Sequence, residues 1–169
     1  NKTKFDIVQL VCPVPFPAKF GINKNIINYL IKNNNKLFIS GAGSISMNTI
    51  LAEFCKEKYK YPQLFESHKN DNGTMWSLTD EGRRFNSWLF QKIDGYIPIM
   101  YEYAQPYREV NHPKLRETIP LPLNIDSVEY KDNKVKEKMV FFHGINREGV
   151  KGTPLIVPAM ERLKEKYPN

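Results

Sequence analysis

Lys36-Leu37-Phe38-Ile39-Ser40-Gly41-Ala42-Gly43-Ser44 is the stretch on which the fold class turns. A short apolar run of strand character ends in a turn of small residues. Ile45 to Tyr59 then carries Met47, Ile50, Leu51 and Phe54 at helical spacing. The same alternation appears on either side. Upstream, Phe5 to Val11 is nearly continuous apolar sequence, the pattern of a strand buried on both faces of a parallel sheet. Cys12-Pro13-Val14-Pro15-Phe16-Pro17 can continue neither a strand nor a helix. Asn23 to Lys32 brings Ile26, Ile27, Leu30 and Ile31 to one side of a helix that stops at Asn33-Asn34-Asn35.

Downstream, Tyr61 to Met75 loses periodicity and reads as a loop. A helix returns from Thr79 or Asp80 to Lys92, with Phe85, Trp88 and Leu89 apolar. Gly95 to Met100 is another short strand, in which Pro98 disfavours a central position. Tyr101 to Arg108 supplies one or two turns of helix, ended or kinked near Pro106. Lys114 to Leu123 is an extended, proline-stiffened strand or connector. Repeated strand and helix predict an α/β fold with parallel strands and flanking helices.

A second stretch carries the chemistry. Met139 to Phe142 reads as a buried strand, broken at Gly144 by a loop with Arg147, Gly149, Lys151 and Gly152. Thr153-Pro154 then opens a helix, with a hydroxyl that can cap and a proline at the first helical position. Leu155, Ile156, Ala159, Met160 and Leu163 follow at helical spacing. Strand, basic glycine-rich loop and helix N-terminus together form an anion cradle, because first-turn amides and the helix dipole favour a phosphate.

The 169-residue chain suits one domain of ordinary size, and two cysteines, Cys12 and Cys55, make no disulfide framework or metal spacing. No apolar run approaches the roughly 20 residues that span a bilayer. No signal peptide is recognisable at Asn1-Lys2-Thr3-Lys4, which points to the cytoplasm. The net charge of +7 fits nucleic acid, an anionic membrane face or phosphorylated small molecules. The densest basic tract, Lys131 to Lys138, interleaves Asp132 and Glu137, which argues against nucleic acid. The chain starts almost on a strand and stops just after a helix, and we expect a piece of something longer.

The run Phe142-His143-Gly144-Ile145-Asn146-Arg147-Glu148-Gly149-Val150-Lys151-Gly152-Thr153, with Ala159, Leu163 and Tyr167-Pro168, resembles the opening of the C-terminal domain of family 4 glycosyltransferases. These are GT-B enzymes, in which two Rossmann-like domains face each other across a cleft. Ile119-Pro120-Leu121-Pro122-Leu123-Asn124-Ile125 resembles their interdomain connector. The resemblance covers nearly the whole chain but only the middle of a full enzyme. The family's first strands and its Glu-x7-Glu segment, which binds the donor sugar and ribose, have no counterpart here.

The resemblance implies a Rossmann-like parallel sheet with flanking helices, a GT-B fragment. It implies later N-terminal-domain sequence at residues 1–123, a linker at 124–137 and the start of the nucleotide-sugar domain at 138–169. It implies transfer of a sugar from a nucleotide-sugar donor to a glycan or lipid-linked acceptor, with retention and without metal. Arg147 and Lys151, with Gly144 and Gly152, would hold the donor diphosphate. The substrate is the nucleotide-sugar, so no separate cofactor is implied.

His143, Gly41, Gly43 and Tyr101 are candidate cleft residues. Each has a plainer reading: a packed strand-end histidine, a tight turn at the two glycines, and aromatic packing of Tyr101, Tyr103 and Tyr107 around a short helix. Arg147 and Lys151 have a plainer reading as solvated loop charges, against which the strand-loop-helix context favours phosphate. His68 and His112 are expected at the surface. Asp6, inside the first strand, reads as a strand-edge or buried hydrogen-bonded acid, and Trp76 and Trp88 as core or interface. The sequence names no catalytic residue. The alternative to an enzyme is a basic α/β module that binds a phosphorylated ligand.

Overall fold

The computed structural model describes residues 3–12, 22–42, 48–58, 75–129, 140–145 and 148–168. Pro13 to Pro17, Gly43, Met47, the aperiodic stretch 59–74 with His68, the lysine-rich tract 131–138, Met139 and Arg147 lie outside these residues.

Strands β1 (Ile7–Leu10), β2 (Lys36–Gly41) and β3 (Gly95–Pro98) form a parallel sheet in the order β1-β2-β3. Ile7 aligns with Lys36 and Leu10 with Ile39, while Phe38 aligns with Gly95 and Gly41 with Pro98. Helix α1 (Ile22–Asn33) joins the first pair. Between β2 and β3 lie α2 (Thr49–Lys58), a 3-10 turn (Trp76–Leu78) and α3 (Asp80–Lys92). Helix α4 (Tyr101–Glu109) follows β3. This is the α/β, Rossmann-like arrangement that the alternating pattern predicts.

Parallel strands register their side chains face by face. Val8 and Leu10, Leu37 and Ile39, and Tyr96 therefore share one face, and they pack with Ile27 of α1, Phe85, Leu89 and Phe90 of α3 and Tyr107 of α4. A smaller cluster joins Leu51, Ala52 and Cys55 of α2 to Met75. The buried face of α2 is thus centred on Leu51, Ala52 and Cys55, with Ile50 against the main core and Phe54 half-buried.

One expectation is corrected at β1. The run from Phe5 to Val11 is not buried on both faces. Val8 and Leu10 touch the core, but Ile7 is 60% exposed and Gln9 also faces outward. The strand lies at the edge of the described sheet, and the core side chains named above all gather on the opposite face. Gln9 Nε2 donates to Ser40 Oγ at 2.7 Å, which fixes the pair on the more open face.

The helix starts follow local chemistry. Thr79 Oγ1 accepts from Gly82 N at 3.2 Å and caps α3, with Asp80 and Glu81 in the favourable first turn. Asn48 Oδ1 accepts from Leu51 N at 3.1 Å at the start of α2, and the expected helical residues before Asn48 lie outside the described residues. Gly82 is required by contact: a Cβ there would overlap the Trp76 carbonyl group. Pro98 sits at the last position of β3, where a missing amide is tolerated. Past α4 the chain returns beside β3. Leu115 bridges Tyr96 in parallel, and Ile119 N donates to Pro98 O at 3.0 Å. The extended connector is therefore partly sheet-paired before residues 120–129 run exposed.

Candidate functional site

The anion-cradle sequence is built from residues 140–145, a short helix α5 (Glu148–Lys151) and helix α6 (Thr153–Lys166). Among the described residues, the expected strand is not formed. Residues 140–145 form no ladder, and Phe142 is 92% exposed. An apolar run becomes a strand only beside another strand, and no described strand lies next to this one.

The loop expected before α6 is shorter than its glycines suggest, because Glu148–Lys151 already closes a helical turn. Gly152 separates the two helices with φ 70° and ψ 18°, a left-handed conformation that glycine adopts without penalty. Its carbonyl accepts from Leu155 N at 2.9 Å and Ile156 N at 3.0 Å. Gly152 thus occupies the cap position expected for Thr153, with Pro154 in the first turn. The Thr153 hydroxyl is used elsewhere. It lies 2.9 Å from His143 Nε2, with Thr153 buried and His143 half-buried. That contact ties the chain before α5 to the N-terminus of α6.

His143, Gly152 and Thr153 therefore stand together, with Lys151 next to them in the chain and exposed. Gly144 is exposed, and a Cβ there would lie 3.3 Å from the Phe142 ring. Arg147 and Gly43, being outside the described residues, have no place in this geometry. The other two candidates belong to the sheet. Gly41 is the buried last residue of β2, and the rest of the expected turn, from Gly43, lies outside the described residues. A Cβ on it would overlap the Tyr96 hydroxyl and lie 2.9 Å from Pro98 Cα, so packing accounts for the glycine. Tyr101 opens α4, is 66% exposed, and has the Arg108 guanidinium 5.7 Å from its ring centroid. Among the described residues, no hydrogen bond joins Gly41 or Tyr101 to residues 143–153.

Sequence reasoning missed a buried polar network beneath the sheet. Tyr96 and Tyr107 stack at 4.0 Å between centroids, and Tyr107 donates to Asn48 Oδ1 at 2.9 Å. Burial, reinforced by each ring's tyrosine neighbour, pushes both phenols well above their usual range. His112 is half-buried against Phe90 and Tyr107 and not a free surface residue. Burial, then Lys114, lowers its pKa. The tyrosine spacing 96/107 falls across a strand and a helix, so no single-element period could reveal it. Asp6 matches expectation: exposed at the strand edge, it accepts from Asn35 Nδ2 at 3.0 Å. Trp76 and Trp88 pack half-buried against the main core.

Among the described residues, no group of three or more His, Cys, Asp or Glu side chains is placed to hold a metal, and no helix is long and apolar enough to cross a membrane. The chain matches no family model, and neither curated proteins nor solved structures show a significant similarity to it.

Proposed function

We propose that the chain is part of a GT-B glycosyltransferase that takes its sugar from a nucleotide-sugar donor, with a glycan or lipid-linked molecule as acceptor. The observation that carries this reading is the left-handed Gly152 between Lys151 and α6, with His143 held on Thr153. This arrangement sets a lysine and a histidine beside the N-terminus of a helix of 14 residues. A diphosphate is favoured there by the helix dipole and by the lysine charge.

Arg147 and Lys151 serve the leaving group. As the glycosidic bond breaks, negative charge grows on the diphosphate oxygens. A fixed cation lowers the energy of that transition state more than that of the bound substrate. Gly144 and Gly152 let the backbone approach the phosphates, and His143 borders the sugar. We assign the chain to the cytoplasm, at the inner membrane face, where its charge of +7 would meet anionic lipid.

Equilibrium titration with UDP, GDP and ADP tests the assignment. One of the three should bind. Lys151→Ala and Arg147→Ala should each weaken it by about tenfold or more, the scale of a lost charge-assisted hydrogen bond. Absence of binding by all three, or unchanged affinity in both variants, contradicts it.

A further inference from the structure

We draw no further inference here: the strongest candidate, the exposed apolar surface formed by Phe141 and Phe142 of residues 140–145 and by Leu155, Ile156 and Leu163 of α6, carries nothing, because nothing in the structure shows what covers it.

Discussion

Lys36–Gly41 and residues 140–145 are both short apolar runs that lead through glycine towards a helix. In β2 the run is paired on both sides, and Leu37 and Ile39 are almost completely buried. In residues 140–145 no ladder forms, and Val140, Phe141, Phe142 and Ile145 are exposed. Helix α6 shows the same contrast, with Leu155, Ile156, Val157 and Leu163 exposed where α3 buries Phe85, Leu89 and Phe90. Local sequence proposes a strand or an apolar helix face, and non-local partners decide whether it is buried. The proposed phosphate loop sits in the region where stability does not depend on the core.

The sharpest break of this comparison is a pair of substitutions. Ile39→Ala should cost about 3 kcal/mol, because it leaves a cavity among fully packed neighbours. Phe142→Ala should change stability by less than about 0.5 kcal/mol, as expected for an exposed side chain. Urea denaturation of both variants reads the difference, and equal losses would show that residues 140–145 are packed in solution. Gly82→Ala comes next, at roughly 2 kcal/mol, because backbone must move where the Cβ meets the Trp76 carbonyl group. Thr79→Ala should cost about 1 kcal/mol through loss of the α3 cap. Gly152→Ala should cost a similar 1 kcal/mol or so from its left-handed backbone, but locally. It should loosen the start of α6 in amide exchange while leaving β2 protection unchanged.

The smallest effect is the pH dependence of the core network. His112 has a lowered pKa in the folded chain, so the unfolded chain binds the proton first as pH falls. Stability should be full above about pH 6.5 and decline below it. Tyr96 and Tyr107 have raised pKa values, so stability should hold below about pH 10 and fall as pH rises further. Denaturation midpoints across this range check both limbs. His112→Phe should flatten the acid limb alone, and Tyr107→Phe should reduce the alkaline one.

The helix positions of α1 and α3, the strand positions of β2 and β3 and the extended connector were legible because each follows from a local period or a breaker. The edge position of β1 was not, since nearly continuous apolar sequence looks the same whether one face or two are covered. The missing strand before Gly144 has the same cause. Of the candidate site, the helix start at Thr153-Pro154 was legible, but the left-handed backbone of Gly152 was not singled out, and the Thr153 hydroxyl turned to His143 where capping was expected. Gly41 reads as part of a turn, and the clearance it gives Tyr96 had no signal in the sequence. Asn48 and His112 lie far apart in the chain and gave no signal, because their roles arise only when α2, α3 and α4 pack together.

Hydrogen–deuterium exchange with and without the nucleoside diphosphate that binds tests the central claim most directly. Added protection should appear in peptides spanning residues 143–153 and be absent from Lys36–Gly41 and Asp80–Lys92. Protection confined to the sheet and its helices, with residues 143–153 unchanged, would contradict the proposed donor site.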